Sequence, residues 1–376
     1  MKRDTALSIT GVSKHQYYYK PKGGKRGRLP STDTLRLMDG NNVEHVSNDE
    51  VIAHIKELQS DPDTNYGYHK MTFALMLLGF IINHKKVYRL MDLFQLLKEK
   101  CQKPVRTFVQ YLKVMPLAPL QVLEMDIKFV WVEEHRRHAF ILTVIDTFSR
   151  VVLGWTAGFQ IKQETVKQLW SRIIENHLQP HDCLKRQMNI EIRNDNDSRF
   201  VARSVQQFFR DNHLEQVFTH PYTPQENGHI ESFHAILSEK LGRYNFWSLS
   251  DLEQCLTLFY EKYNNQRLHS ATLYLPPMIF WYCWQKGMVE TKVDEKKRKI
   301  RFRLLAPYQQ LSGDLSLRSP LLQPKPLDGV EVDKINQTLK EMSGTETFPP
   351  AGRAGQQLSV ENRPWLSFAF ANVNEK

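Results

Sequence analysis

The chain has 376 residues, of which 41% are hydrophobic and 24% charged, so it is long enough for two or three domains with buried cores. Its formal net charge of +10 favours a polyanionic partner, nucleic acid before an anionic membrane surface. No run of about 18 uncharged apolar residues occurs, and the N-terminus lacks the apolar region of a signal peptide, so neither a membrane-spanning nor a secreted protein is expected.

The cysteine pattern also indicates a protein that is not secreted. No two of the four cysteines form a CxxC pair, and no Cys/His set has zinc-finger spacing. We therefore expect reduced thiols in an intracellular protein. The four cysteines are Cys101, Cys183, Cys255 and Cys283.

The first thirty residues are strongly basic, with eight lysines or arginines against one acid. Gly11 marks a turn, and Ser13 is a residue type that often begins a helix, here before the aromatic stretch HQYYY. This pattern predicts the last helix of a helix-turn-helix. The glycine-rich basic stretch after it predicts a flexible linker, so residues 1–30 are assigned to a partial helix-turn-helix and linker.

Three helices are predicted between residues 45 and 100, which we assign to an all-α helix-turn-helix region that binds DNA. The first begins after a cap at Ser47 or Asn48, and the second ends at Gly79. The third carries basic residues on its first turns, which we predict to contact DNA: Lys85, Lys86 and Arg89. A helical spacer whose charged face is only solvated is the alternative.

From Gln121 the apolar period changes to two, which predicts strands. The stretches LEMDIKFVWV, AFILTVID and RVVLGWTA predict three antiparallel strands, and an amphipathic helix, a fourth strand, a helix, a fifth strand and further helices follow. This order predicts an α/β fold with a mixed sheet and flanking helices over residues 118–290. Residues 291–312 form a basic segment ending in a short predicted strand, and the composition of residues 313–376 predicts a disordered tail.

Three acids stand out by their positions in these elements. Asp126 lies within a strand on the face opposite its apolar residues, Asp195 follows the fourth strand, and Glu231 lies one turn into a helix. The first and fourth strands of this topology are usual neighbours, so Asp126 and Asp195 are expected to meet. Converging carboxylates raise each other's pKa unless a cation neutralises them, and oxygen ligands favour Mg²⁺ or Mn²⁺.

Each acid also has an ordinary explanation when it is taken alone. Asp126 is then an exposed strand residue, Asp195 an Asx-turn residue, and Glu231 a residue favoured at a helix N-terminus. Asp146, at the end of the second strand, is better explained as a turn cap than as a fourth catalytic acid. The joint spacing of the first three acids favours a common site.

Three motifs carry a resemblance to a known family: MDIKF, NDNDSRF and ENGHIESF, with 35 residues between Asp195 and Glu231. From about Ala118 to Gly287 the chain resembles the catalytic core of retroviral integrases and bacterial insertion-sequence (DDE) transposases. The resemblance implies a ribonuclease-H-like fold. It also implies that Asp126, Asp195 and Glu231 are catalytic and hold two Mg²⁺ ions, for which Mn²⁺ can substitute.

The stretch NYGYHKMTFALMLLGFIINHKKVYRLM is similar to the helix-turn-helix segment of transposases made from two overlapping reading frames. The resemblance implies metal-dependent 3′-end cleavage and strand transfer of a mobile element. It implies as partners the element ends, target DNA, further copies of this chain on DNA and the product of an upstream frame. The alternative from another class is a catalytically inactive DNA-binding regulator derived from a transposase.

The sequence departs from the family pattern at two positions, and the segment around Glu231 offers two further candidates for DNA contact. Asp197 stands where the family has glycine, and Ser238 stands where many relatives carry a basic residue. Asn227, on the same helical face as Glu231, and Lys240, the lysine nearest to Ser238, are predicted to bind DNA. Small residues on the Glu231 face leave room for a DNA backbone, whereas an apolar stripe is predicted to be buried: Ile230, Phe233, Leu237 and Leu241.

Overall fold

A computed structural model describes residues 3–19, 30–38, 42–99, 114–183, 189–219, 227–294 and 299–313 of the chain. Most of the predicted basic linker and nearly all of the predicted tail lie outside these residues. Helices α1 (Arg3–Thr10) and α2 (Lys14–Tyr18) come first, and the predicted cap of α2 is confirmed because Ser13 and Gln16 form a capping box. None of the described helices is long and apolar enough to cross a membrane.

A small domain follows, built from a sheet and the three predicted helices. Its elements are β1 (Asp33–Leu37), β2 (Val43–Ser47), α3 (Asn48–Ser60), α4 (Tyr68–Leu77), β3 (Phe80–Ile81) and α5 (His84–Leu93). The sheet is antiparallel in the order β2-β1-β3. The three helices are confirmed, whereas the strands were not predicted, because five-residue strands with few apolar residues leave little periodic signal in the sequence.

Gly79 connects α4 to this sheet. Its φ of +91° is one that side chains rarely adopt, and a Cβ at this position would lie 2.4 Å from the carbonyl oxygen of Leu37. The carbonyl of Gly79 in turn accepts a hydrogen bond from the amide of Leu37, at 2.8 Å. The predicted end of the helix is therefore also the position at which β3 can join β1.

The central sheet has five strands in the order β6-β5-β4-β7-β8. Strands β4, β5 and β6 are antiparallel, whereas β7 pairs in parallel with both β4 and β8. The predicted ribonuclease-H-like mixed sheet is therefore confirmed. The strands are β4 (Val122–Val132), β5 (Arg137–Asp146), β6 (Val152–Gly158), β7 (Ile190–Asn194) and β8 (Leu214–Phe218).

Helices cover both faces of this sheet. One face carries α6 (Gln163–Ile173), which continues as a π-helical turn (Ile174–Leu178), α7 (Ser198–Val201) and α8 (Arg203–Asp211). The other face carries α9 (Gly228–Leu241) and α10 (Leu249–Asn265). The chain continues with α11 (Pro277–Gln285), the β9 (Val289–Asp294) and β10 (Lys299–Leu304) hairpin, and α12 (Tyr308–Gly313).

Side chains along β4 point alternately to the two faces of the sheet, and this alternation decides which face holds the polar residues. Met125 points toward α6, where the indole nitrogen of Trp170 lies 3.1 Å from its sulfur. Glu124 and Asp126 point the other way and contact α9. The predicted buried stripe of α9 packs on that same face and is confirmed: Ile230, Phe233, Leu237 and Leu241.

The small domain and the segment after α10 share one hydrophobic core. Buried residues of α3, α4 and α5 belong to the same cluster as Phe148 of the core and Phe280 of α11. The rings of Phe148 and Phe280 lie 5.9 Å apart. The ranges predicted as two separate domains therefore pack against each other through apolar side chains.

Candidate active site

Two of the predicted acids lie side by side at one edge of the β4–β7 pair. The parallel register pairs Glu124 with Arg193, so two residues further along Asp126 stands opposite Asp195. Asp195 follows the last residue of β7, and its Oδ1 accepts a hydrogen bond from the amide of Asp197, at 3.2 Å. The expectation that the first and fourth predicted strands are neighbours is confirmed.

Glu231 faces the same place from the first turn of α9, and its side chain is exposed. Partial burial, followed by the charges of Asp126 and Glu124, raises the pKa of Glu231. Burial and the charge of Asp126 likewise raise the pKa of Asp195. Asp126 is therefore within electrostatic reach of both Asp195 and Glu231, which is the repulsion expected of converging acids.

His234 is a site residue that the sequence interpretation missed. Its Nδ1 lies 3.2 Å from Oδ2 of Asp126, and its side chain is only 9% exposed. Its Nε2 is shielded from solvent and has no hydrogen-bond partner. The signal was present, because His234 lies four residues after Ile230 and so continues the apolar stripe of α9.

Glu124 is the second missed residue and is fully buried. Its Oε2 accepts a hydrogen bond from the amide of Ile230, and its Oε1 lies 2.7 Å from Nδ1 of His229, so it holds the first turn of α9. Burial raises the pKa of Glu124 to about 7. The signal was the strand period of two, which places Glu124 on the same face as Asp126.

A groove with a volume of about 430 Å³ runs along this face between β4 and α9. The groove is lined by Asp126, Ile127, Lys128, Phe129, Glu231, His234, Ala235 and Ser238. Ala235 and Ser238 are the small residues predicted to leave room beside Glu231. They contribute to the wall of the groove, and no bulky side chain of α9 fills the space there.

The two departures from the family pattern have local partners. Asp197 caps α7, and its carboxylate accepts hydrogen bonds from the amide and the side chain of Arg199, which neutralises the added negative charge. Ser238 donates to the backbone carbonyl of His234, at 2.6 Å. Lys240 is directed elsewhere, since its ammonium group lies 2.7 Å from Oδ2 of Asp63 in the small domain.

The other predicted DNA contacts also differ in availability. Lys85 is exposed, whereas Lys86 and Arg89 both donate hydrogen bonds to Ser31, at 3.2 and 3.3 Å. Asn227 is buried at the start of α9, and its Oδ1 has no hydrogen-bond partner. Among these four residues, Lys85 therefore presents the least encumbered polar group to a DNA backbone.

The predicted metal ligands fit a hard divalent cation by their chemistry, because all three donate carboxylate oxygens. Within the described ranges, no lysine or arginine forms an ion pair with Asp126, Asp195 or Glu231. The charge of Arg199 acts on Asp195, but burial and the charges of Asp126 and Asp197 outweigh it, and the pKa of Asp195 stays raised. Over the same ranges, no three His, Cys, Asp or Glu side chains are arranged to hold one ion as they stand. Binding therefore requires side-chain movement of the acids toward one another.

Comparison with known proteins identifies the two parts of the chain that contain the small domain and the central sheet. Residues 116–224 and 212–277 each match a family model described as integrase core domain, and residues 47–104 match an HTH-like domain. A 39.2 kDa protein of insertion element IS476 from Xanthomonas euvesicatoria is 27% identical over 217 residues, which cover 57% of this chain and 60% of that protein. The putative transposase InsK for IS150 from Escherichia coli is 24% identical over 61% of this chain and 82% of its own length.

Solved structures give more distant matches. The HTLV-2 integrase catalytic core domain in complex with magnesium is 18% identical with a TM-score of 0.31, covering 45% of this chain and 97% of that chain. The catalytic domain of Mos1 mariner transposase is 16% identical with a TM-score of 0.33, covering 38% and 70%. The two integrase-core models adjoin and span residues 116–277, which include the mixed five-stranded sheet. The chain therefore contains an integrase core domain, with an HTH-like domain ahead of it.

Proposed function

We propose that this protein is a DNA transposase that cleaves the 3′ ends of a mobile element and joins them to a target strand. One observation supports the proposal: Asp126 and Glu231 line the groove, the charge of Asp126 acts on both Glu231 and Asp195, and no lysine or arginine of the described residues forms an ion pair with these three acids. Such a site calls for an external cation. Two bound Mg²⁺ or Mn²⁺ ions would activate the attacking oxygen and stabilise the leaving oxygen in phosphoryl transfer.

The residues of the chain have distinct roles in this proposal. Asp126, Asp195 and Glu231 would hold the ions. His234 fixes one oxygen of Asp126, and Glu124 fixes the first turn of α9, so both set the direction from which the acids approach. The groove beside Ala235 gives a DNA backbone access to the acids.

The proposed partners are the element ends, the target DNA and further copies of this chain bound to DNA, since two element ends need two active sites. The product of an upstream frame remains a proposed partner, and the bacterial cytoplasm the proposed location. An inactive DNA-binding regulator is the competing function. The neutralisation of Asp197 by Arg199 argues against it, because the departure that most threatened the site is compensated locally.

The test compares Asp126→Asn with Asp211→Asn, which removes an exposed carboxylate of α8 away from the groove. Duplexes carrying the element's terminal repeats are incubated with Mg²⁺, and 3′-end cleavage and strand transfer are measured. We expect Asp126→Asn to lower both rates at least about 100-fold. Loss of a residue that only orients a metal ligand costs about 10- to 100-fold, and loss of the ligand itself should cost more. Wild-type rates for Asp126→Asn contradict the site, and DNA binding without cleavage by the wild type favours the regulator.

A further inference from the structure

Four basic side chains meet between the small domain and the catalytic core, in what we call the cationic cleft. They are Lys70 of α4, Arg150 in the turn after β5, and Arg267 and His269 in the segment after α10. Each of the four residues keeps part of its surface exposed, while some polar atoms of Arg150 and Arg267 are shielded. None of them belongs to the carboxylate site described above.

Short contacts hold the Lys70 and Arg267 sides of the cleft together. The ammonium group of Lys70 lies 5.6 Å from the ring centre of Tyr66, and the hydroxyl of Tyr66 accepts a hydrogen bond from the amide of Leu268. One guanidinium nitrogen of Arg267 donates to the carbonyl of Asp63, at 3.4 Å. The two cations are therefore placed by contacts that cross from the small domain to the core.

Arg150 is positioned in the cleft by hydrogen bonds between the start of β6 and the end of α10. The side-chain amide of Asn264 makes two hydrogen bonds of 2.9 Å with the backbone of Val152, two residues after Arg150. The proximity has an electrostatic consequence at His269. Burial, then the charges of Arg150, Lys70 and Arg267, lower the pKa of His269 to about 3, so this imidazole is neutral among three cations at pH 7.

Three of the donor nitrogens in the cleft lack acceptors. Nε and one terminal nitrogen of Arg150, and Nε of Arg267, are shielded from solvent and have no hydrogen-bond partner. Burial and the charge of Arg267 lower the pKa of Lys70 to about 8, and no described acid offsets that effect. Shielded charged donors of this kind are costly and call for an explanation, such as an acceptor that arrives with a ligand.

The nearest acids do not supply that acceptor. Tyr263, Glu124 and Asp146 act on Arg150 electrostatically. None of them accepts a hydrogen bond from the shielded nitrogens of Arg150, and the oxygens of the two acids are engaged elsewhere. The two oxygens of Glu124 face His229 and the amide of Ile230. The oxygens of Asp146 accept from the amide of Leu120 and from Ser149. The charge of Arg150 is thus partly balanced, while its shielded N–H groups stay available.

We propose that the cationic cleft binds a phosphodiester group of DNA through Arg150, Arg267 and Lys70. Guanidinium groups present forked donors that match the oxygens of a phosphate, and the ammonium group of Lys70 adds a point charge. This inference rests on the proposed function only for the identity of the ligand as DNA. Glu124, whose charge acts on Arg150, also accepts a hydrogen bond from the amide of Ile230 in the first turn of α9.

The test measures binding of the full chain to a non-specific duplex of about 30 base pairs, by fluorescence anisotropy in EDTA over a range of salt concentrations. We expect Arg150→Gln and Arg267→Gln each to weaken binding about tenfold. Each should also reduce the slope of log K against log salt by about 0.9. Arg172→Gln, which removes an exposed arginine of α6 on the opposite face of the sheet, should change neither quantity.

Folding is checked by thermal unfolding of each variant. Should Arg150→Gln fail to fold, Lys70→Gln replaces it, because Lys70 is partly exposed on α4 and makes no described ion pair. The assignment to DNA is overturned if the slope of log K against log salt equals that of the wild type in both variants. These are Arg267→Gln and the folded variant at Arg150 or Lys70.

A parallel titration with inorganic phosphate separates the two possible sources of the anion. In one outcome, phosphate raises the melting temperature of the wild type but not of the variants, and the salt slopes of DNA binding stay unchanged. This outcome identifies a site for small oxyanions and contradicts the DNA assignment. If neither DNA nor inorganic phosphate distinguishes the wild type from the variants, the oxyanion site itself is contradicted. Because the binding is measured in EDTA, loss of strand transfer in Asp126→Asn bears on the proposed function and leaves this result unaffected.

Discussion

Two carboxylate sites along α9 differ in what surrounds them. Asp63, which reaches α9 from the small domain, lies 2.7 Å from Lys240 and 3.1 Å from Arg243, with Lys262 of α10 at 3.7 Å. Although burial alone would raise it, the hydrogen bond and charges of these cations lower the pKa of Asp63. The carboxylates of the groove have carboxylates for neighbours, and the pKa values of Asp195 and Glu231 are raised.

The difference shows how a structural acid is told from a functional one. The chain provides three cations for Asp63, so this acid joins the small domain to α9 and α10 and needs nothing from solvent. The groove acids are placed without such cations, which leaves an unfavourable charge that an external ion can relieve. Each prediction below changes one of these two sites, and the first three compare it with the other.

The largest expected effect is on stabilisation by a metal ion. Mn²⁺ at about 100 times its dissociation constant should stabilise the wild type by about 2.7 kcal/mol. Asp126→Asn should abolish this gain because it removes a ligand, whereas Asp63→Asn should keep it. Thermal unfolding with and without Mn²⁺ measures both. Equal loss in the two variants would show that the gain does not come from the groove.

The next effect is on the stability of the metal-free protein. Asp63→Asn should lower the free energy of unfolding by about 2 kcal/mol, because it breaks charged hydrogen bonds to partly buried Lys240 and Arg243. Asp195→Asn should leave that free energy unchanged or raise it, since it removes repulsion. Urea unfolding in EDTA measures the difference. A loss as large in Asp195→Asn as in Asp63→Asn would contradict the comparison.

The pH dependence of stability should have opposite signs at the two sites. The lowered pKa of Asp63 gives a contribution that is complete above its ordinary value of 3.8 and is lost as pH falls through the folded value. The raised pKa of Asp195 makes the metal-free protein lose stability as pH rises from 3.8 through the raised value. At pH 7 in EDTA, the free energy of unfolding of Asp195→Asn should therefore exceed that of the wild type. This difference should disappear below about pH 4. Parallel curves for wild type and Asp195→Asn would refute the assignment.

The smallest expected effect concerns Lys240. Lys240→Gln should lower the free energy of unfolding by about 1 kcal/mol, less than Asp63→Asn, because Arg243 and Lys262 still face Asp63. Binding of duplex DNA should stay within twofold of wild type, since the ammonium group of Lys240 is engaged by Asp63. Urea unfolding and anisotropy measure the two quantities. A large loss of DNA affinity would instead support the direct contact predicted from the sequence.

Much of the fold and the site was predictable because its signals are local. The periods of two and 3.6 gave the strands of the central sheet and the helices on its faces, and they placed Asp126 on the polar face of β4. The spacing of 35 residues between Asp195 and Glu231, with the motifs around them, indicated the family. The strands β1 to β3 escaped prediction because pairing across the small domain, and not their own periodicity, makes them strands.

By itself the sequence determined which residue types stand on which face of each element, since that depends only on backbone geometry. The tertiary structure alone decided which charges meet. Lys240, predicted to contact DNA, pairs with Asp63, 177 residues away, and Glu124 holds the amide of Ile230 across 106 residues. Coulomb energies and hydrogen bonds depend on separation in space, so the partners of Lys240, Glu124 and Arg150 emerge only when the small domain, the sheet and α9 pack together.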